Sequence, residues 1–413
     1  MMIKTRRTLL KAMTAAIGGI ALTGVMTAAH AGDYPTSKVM TTGLAVDDKT
    51  VTVGILHSLT GTMAISEIGS VQAEKLAIKQ INESGGILGR QIKVITEDGA
   101  SDWPTFAEKA KKLLESDKVP AIFGCWTSAS RKAVLPVLEK DKGLLYYPTF
   151  YEGLEESHDI FYTGQEATQQ ILAGLDWASK TLHAKKFYLV GSDYIWPRTS
   201  MKIARKHIEQ HLHGKVVGEE YYPLGSTQFG SLINKIKLKR PDLVFSAVVG
   251  GSNVAFFKQM IAAGLNSKKQ KLLTLSVTED EAKGIGGENL KGFYSSMKYF
   301  QSLDVPGNKK FVKAFKAAYG KDAVIGDVTE SAYLGPWLWK AAVEKAGSFD
   351  IEKVIPAQIG HVWKDSPNGY LKVDSNHHMY FKTRIGEWQP NGQAKVVWES
   401  DLIKPNPFPK GYQ

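Results

Sequence analysis

The sequence predicts an α/β fold of two lobes, each a parallel sheet covered by helices, with a β-hairpin region at the C-terminal end. Three observations predict it. Short apolar runs alternate with helical patterns from Thr50 onward. The alternation restarts near Gln169. After His361 the pattern changes to apolar–polar alternation broken by turn residues. Repeated strand–helix alternation calls for a parallel sheet buried on both faces.

The elements follow in order. Val51–Leu56 reads as a buried strand. Glu67–Glu83 reads as a helix with Ile68, Val71, Leu76, Ala77 and Ile81 on one stripe, ended by Gly85-Gly86. Ile92–Thr96 is a strand, and Pro104 opens a helix carrying Phe106, Ala110, Leu113 and Leu114. Val119–Phe123, Ser128–Glu139 and Gly143–Tyr147 give strand, helix and strand. The second block reads Gln169–Thr181 (helix), Lys186–Val190 (strand), Pro197–Leu212 (helix), Lys215–Tyr221 (strand), Thr227–Leu238 (helix), Leu243–Val248 (strand), Ser252–Ala263 (helix) and Lys271–Leu275 (strand). Phe293–Tyr299 precedes two late helices, Asn308–Tyr319 and Asp327–Ala346. Tyr370–Val373, Met379–Glu387 and Lys395–Trp398 form the hairpin region. Pro405-Asn406-Pro407-Phe408-Pro409 cannot be regular structure.

The chain has 413 residues, 43% apolar and 23% charged, which excludes a disordered or multi-span membrane protein. One cysteine, Cys125, excludes an internal disulfide framework. Lys4, Arg6, Arg7 and Lys11 precede an apolar stretch from Ala12 to Val25, and Ala29-His30-Ala31 fits a cleavage site. Thr5–Lys11 has the form of a twin-arginine export signal. Removing these four basic residues from 52 leaves 48 against 41 acidic, net +7. No cysteine stands at the cleavage site, so we expect a free, unanchored periplasmic protein without membrane insertion. Lys235–Arg240, the densest basic run, reads as a solvated helix end, not as a nucleic-acid patch.

Ligands of open α/β sheets bind outside the carboxyl ends of the strands. Three turns stand there: Gly124–Lys132, Tyr147–Gly153 and Gly191–Arg198. All three carry aromatic residues and hydroxyls, and Ser or Thr at a helix start can leave N–H groups for a carbonyl.

Together with Val53–Gly61 and Ile81–Arg90, these turns resemble type I periplasmic substrate-binding proteins of the branched-chain amino acid/amide family. The three turns are similar to its urea and short-chain amide branch, the urea-binding components of ABC transporters. The resemblance covers almost the whole mature chain. It implies two Rossmann-like lobes joined by a three-crossing hinge, with crossings near 163–168, 293–299 and 350–362. The division is 1–31 signal peptide, 32–47 extension, 48–165 and 293–355 lobe 1, 166–292 lobe 2, and 356–413 hairpin and tail at the hinge or lobe 2. By resemblance, Trp126, Ser128, Tyr147 and Thr149 line the first lobe's side, and Asp193, Tyr194 and Trp196 the second's. Where a related amide sensor has tyrosines, this chain has Trp126 and Trp196, with Phe150 in place of a proline, which leaves less room and favours urea. The implied partners are an inner-membrane ABC permease and its cytoplasmic ATPase.

Urea is neutral, with four N–H donors and one carbonyl, so its site needs acceptors in excess and no net charge partner. Ser128, Thr149 and helix-start N–H groups can donate to the carbonyl. Asp193, Tyr194 and Glu279 can accept, although Ser276–Glu281 equally reads as an acidic helix start. Trp126 and Trp196 can stack on the flat faces. Four heavy atoms limit affinity to roughly −6 kcal/mol, or tens of micromolar.

Other readings fit less well. Gly85–Gly89 precedes a strand, so it is not a dinucleotide loop. His207–His211 reads as a solvated helix face, Asn376-His377-His378 as a loop-to-strand segment, and Cys125 as buried filler. No catalytic residue, metal site or cofactor is expected. A ligand-sensing receptor module and an amino-acid-binding transport protein remain as alternatives; the latter needs fixed partners for both a carboxylate and an ammonium.

Overall fold

A computed structural model describes residues 33–40 and 43–413. The signal sequence expected at 1–31 lies outside the described residues.

The first sheet contains β1 (Thr50–His57), β2 (Gln91–Asp98), β3 (Ile122–Gly124), β4 (Leu145–Tyr147) and β5 (Ile160–Tyr162). Its order is β2-β1-β3-β4-β5, and every pair is parallel. The second sheet begins with β6 (Lys186–Ser192), β7 (Lys215–Tyr222), β8 (Leu243–Ala247), β9 (Lys271–Thr274) and β10 (Tyr294–Met297). β11 (Val362–Ser366), β12 (Gly369–Val373) and β13 (Met379–Tyr380) make a separate antiparallel sheet. The hairpin of β14 (Arg384–Trp388) and β15 (Ala394–Glu399) joins the second sheet antiparallel to β10, giving the order β15-β14-β10-β9-β8-β6-β7. This is the expected α/β architecture of two parallel-sheet lobes with an antiparallel C-terminal region.

Local signals set the helices. Asp102 caps Trp103–Lys111 by accepting from Thr105 N, with Pro104 in the first turn. Thr127 caps Ser128–Asp141 by accepting from Ser130 N. Thr278 and Glu281 form a capping box on Glu279–Ile285. Asp327–Ala346 packs on Ala64–Glu83 and, with Ile351–Gln358, returns to the first lobe.

The larger differences from the sequence reading are a lobe boundary, two unforeseen strands and a broken one. β10 pairs with β9, so the chain leaves the second lobe after Met297 and not at 292. β5 and β11 carried no isolated pattern: Ile160–Tyr162 is only three residues long, and Val362–Ser366 is largely exposed. The single strand expected over Met379–Glu387 breaks between Tyr380 and Arg384. There Phe381 pairs with Ile403, and Thr383 bonds the Gln169 carbonyl and the Ser400 hydroxyl. The break lets one segment serve the small sheet and the next the second lobe.

The proline-rich tail is irregular, as expected, yet docked. Leu154 N donates to Pro407 O (2.8 Å), and the Tyr412 hydroxyl meets His207 Nδ1 (2.6 Å).

Candidate functional site

The turn after β3 is built by backbone constraint. Gly124 has φ +145°, and a Cβ there would sit 2.0 Å from the Leu56 carbonyl oxygen, so only glycine fits. Cys125 is held at φ +59° by its N–H bonding the same oxygen at 2.8 Å. Gly164 plays a similar part for the neighbouring turn, where a Cβ would lie 2.3 Å from Thr149 backbone.

These turns deliver an aromatic bridge between the lobes. Trp126 is 2% exposed and meets Phe150 edge-on, with centroids 5.6 Å apart. Phe150 meets Trp196, on the second lobe's helix Ile195–Gln210, at 5.3 Å. Trp103 of the first lobe lies 6.2 Å from Tyr194 of the second. Polar contacts close the same gap. Gly251 N donates to Thr62 O (3.2 Å), and Ser66 Oγ donates to Glu281 Oε1 (2.6 Å).

Behind the bridge, the first lobe holds a buried ionic network. The Arg131 guanidinium sits in the corner formed by the perpendicular rings of Tyr147 (4.7 Å) and Tyr151 (4.5 Å). It donates to Glu155 Oε1 (2.6 Å) and Ser128 Oγ (3.1 Å) and stands 3.6 Å from Glu152 Oε1. Lys132 completes the charge balance through Glu155 Oε2 (2.7 Å). Burial alone would push the Glu155 carboxyl up; Arg131 and Lys132 overcome that and hold it at about 2.

The structure brings six of the eight expected residues to this region. Trp126, Ser128, Tyr147, Thr149, Tyr194 and Trp196 are all buried. Ser128 does not keep a free hydroxyl: it donates to Glu152 Oε2 (2.6 Å). The Tyr147 hydroxyl donates to Trp126 O (2.7 Å). Thr149 Oγ1, Trp126 Nε1 and Trp196 Nε1 are buried without a hydrogen-bond partner. Burial, then Tyr147 and Glu152, push the Tyr194 phenol well above its ordinary range.

Two residues stand apart. The Asp193 side chain is 38% exposed and pairs with Arg198 Nε at 2.5 Å, because the arginine one helical turn on captures it. Glu279 is buried in the start of its helix and accepts from Gln301 N (2.8 Å) near Asp280 and Asp327, as the acidic helix-start reading has it. Asp193 Oδ1 is taken up by Arg198, while Glu279 keeps one buried oxygen, Oε2, without a hydrogen-bond partner.

His207 also corrects a reading. It is not on a solvated face; it is buried between Asp176 (Nε2, 2.8 Å) and Tyr412. Cys125 is fully buried, and burial raises its thiol. Among the described residues no group of His, Cys, Asp or Glu could hold a metal ion, and no helix is long and apolar enough to cross a membrane.

Glu152, Arg131 and Trp103 are the residues the sequence reading left out of the site. A signal existed for Arg131, since positions 128 and 131 share a helix face. For Glu152 it was the carboxylate in an otherwise aromatic turn. An open groove of about 650 Å³, lined by Ala64, Ile68, Gln72, Asp280, Lys283 and Tyr319, shares no residue with the bridge. Buried polar atoms without partners occur elsewhere too, Ser252 Oγ, Asn253 Oδ1 and Glu279 Oε2 among them; the bridge is the candidate site because there such atoms coincide with ring contacts between the two lobes.

Residues 51–413 match the family described as "Periplasmic binding protein domain". The chain belongs to this family. Among its periplasmic-binding relatives, Leu/Ile/Val-binding protein homolog 8 of Brucella abortus is 25% identical, over 94% of this chain and all of that one. A limonene hydroxylase of Geobacillus stearothermophilus is 36% identical over 117 residues, 28% of this chain; the match spans only 21% of that protein's length. An ABC-transporter solute binding protein from R. palustris in complex with 4-hydroxybenzoate superposes with a TM-score of 0.79, 24% identity, and coverage of 88% of this chain and 100% of that one. That likeness shows the periplasmic-binding fold.

Proposed function

We propose that this is an extracytoplasmic solute-binding protein that closes two lobes around urea or a short-chain amide and delivers it to an inner-membrane ABC permease energised by a cytoplasmic ATPase. One observation carries the ligand class. At the aromatic bridge the groups without a hydrogen-bond partner are two indole N–H donors and the Thr149 hydroxyl, with one Glu152 oxygen and one Arg131 nitrogen behind them, and the Arg131 charge is balanced by Glu152 and Glu155. An indole N–H only donates, so it needs an oxygen acceptor. A ligand carboxylate would find no uncompensated cation there, and burying it unpaired is costly. A small neutral carbonyl compound meets these conditions.

Closure supplies the mechanism. Ligand held between Trp126 and Trp196 adds contacts that exist only when the lobes meet, which favours the closed state. The Ser66–Glu281 and Thr62–Gly251 bonds form across the same gap.

Isothermal titration of residues 32–413 with urea, formamide, acetamide, thiourea, leucine and glutamate tests the reading. Urea or acetamide binding with silence from the amino acids supports it. The full-length likeness to a protein named for Leu/Ile/Val binding favours a second reading, amino-acid cargo. Leucine binding without urea binding would establish that reading and remove the first.

A further inference from the structure

The Tyr147–Gly153 turn holds one group that the reading above leaves unused. Glu152 is 3% exposed, and its two carboxylate oxygens have different surroundings. Oε2 accepts from Ser128 Oγ at 2.6 Å. Oε1 has no hydrogen-bond donor and faces Arg131 Nη2 only at 3.6 Å. Glu152 lies two residues beyond Phe150, the ring wedged between Trp126 and Trp196. The turn is pinned from outside: Leu154 N bonds Pro407 O at 2.8 Å, and a Cβ on Gly153 would lie 2.8 Å from that same oxygen. The carboxylate is therefore held from three sides with one oxygen left open.

From this geometry we infer that Glu152 is the acceptor for the ligand's N–H groups and the residue that rejects carboxylate ligands. This rests on the neutral-amide reading. Ser128 then acts as a positioning residue that fixes Glu152. A carboxylate oxygen only accepts, so Oε1 must be completed by a donor. The indole N–H groups only donate and must be completed by an acceptor. A primary amide or urea offers both on one small planar frame. Replacing its NH2 by O⁻ sets two anionic oxygens facing each other, as acetate in place of acetamide does. Arg131 does not relieve this: its Nη2 has no hydrogen-bond partner, but its charge is already balanced by Glu155 (Nε to Oε1, 2.6 Å) and by Glu152 itself (3.6 Å). Charge transmission across the gap is consistent with this placement, since Glu152 contributes to raising the Tyr194 phenol on the opposite lobe.

The experiment is titration calorimetry of wild type, Glu152→Gln, Glu152→Asp and Ser128→Ala with four probes: urea, acetamide, acetate and isoleucine. Thermal melting of each variant checks folding. Wild type is expected to bind urea and acetamide and to ignore acetate. Glu152→Gln is expected to bind urea about 10- to 100-fold more weakly, the range for losing a hydrogen bond to a charged group, and to narrow the acetamide–acetate gap. Glu152→Asp retains the charge while withdrawing the carboxylate; it should fold, still reject acetate, and weaken urea. Ser128→Ala should cost only a few-fold, with acetate still rejected.

Unchanged urea affinity in a folded Glu152→Gln overturns the inference while leaving the neutral-amide reading intact. If wild type binds isoleucine and not the amides, the neutral-amide reading fails. Isoleucine binding also overturns the rejection of carboxylates; loss of isoleucine on Glu152→Gln then keeps only the N–H acceptor role, now for an ammonium, and no loss overturns that too. Should Glu152→Gln fail to fold, Glu152→Asp decides alone: urea affinity equal to wild type overturns the inference.

Discussion

The two walls of the cleft are built differently. The first lobe's wall is ionic beneath an aromatic surface: Arg131, Glu152, Glu155 and Ser128 are buried and bonded to one another beneath Trp126 and Phe150. The second lobe's wall is aromatic at the bridge, and its buried Glu281 meets Ser66 across the gap. It presents Tyr194 and Trp196, while its charged pair, Asp193–Arg198, is solvent-exposed. The same turn position after a strand thus carries a buried salt bridge in one lobe and a surface one in the other. The contrast teaches which lobe recognises and which covers. Preorganised polar groups belong on the side that holds ligand in the open state, and an apolar wall suits the side that arrives.

Removing the arginine on each side gives the largest expected difference. Arg131→Met leaves Glu152 buried without a cation and Glu155 with Lys132 alone, a loss of about 3–5 kcal/mol. Arg198→Met removes a half-exposed partner and should leave the melting temperature unchanged. Thermal melts of the two variants measure this; urea denaturation is unsuitable because urea is the proposed ligand. Equal destabilisation would erase the distinction between the walls.

Acid should strike the first wall selectively. An unfolded glutamate titrates near 4.5, while Glu155 is held at about 2. A lowered folded-state value stabilises the fold above the unfolded value and is lost as pH falls through the folded one. The contribution, about 3 kcal/mol by linkage, should therefore be complete above pH 4.5 and disappear between about 4.5 and 2. Melts of wild type and Glu155→Gln across that window should converge at the acid end. Parallel curves would mean that Glu155 is not the titrating group.

The indoles sharpen the comparison at the ligand. Trp126→Phe and Trp196→Phe each retain a ring and remove one N–H donor. Each should weaken urea by about tenfold, the cost of an acceptor left unpaired, with little change in melting temperature. A large effect at Trp126 alone would make the second wall purely a cover, and a large effect at Trp196 alone would move the carbonyl to the arriving lobe.

Much of this arrangement was legible in the residues. Strand–helix alternation gave both sheets, because buried parallel strands read as unbroken apolar runs. The three aromatic turns were legible as one cluster, because turns after parallel strands open at one end of the sheet. What stayed hidden was pairing. Nothing local shows that β10 joins β9, that Ser128 spends its hydroxyl on Glu152, 24 residues later, or that His207 is buried under Tyr412, 205 residues away. Asp193 was misplaced for the opposite reason: its competitor was near, and the arginine at i+5 was not weighed against the ligand.

Asp193→Asn therefore carries the smallest expected effect and the cleanest test of the closed arrangement. With Oδ1 bonded to Arg198 and the carboxylate open to water, it lacks the burial that makes an N–H acceptor count for affinity. Urea affinity should stay within about twofold of wild type, because exposed pairs contribute little and their loss leaves no buried group unsatisfied. An Asp193→Asn variant that folds but loses urea by tenfold or more would require Arg198 to release it on ligand binding. The second lobe would then recognise as well as cover, and the acceptor role argued for Glu152 would be shared across the cleft.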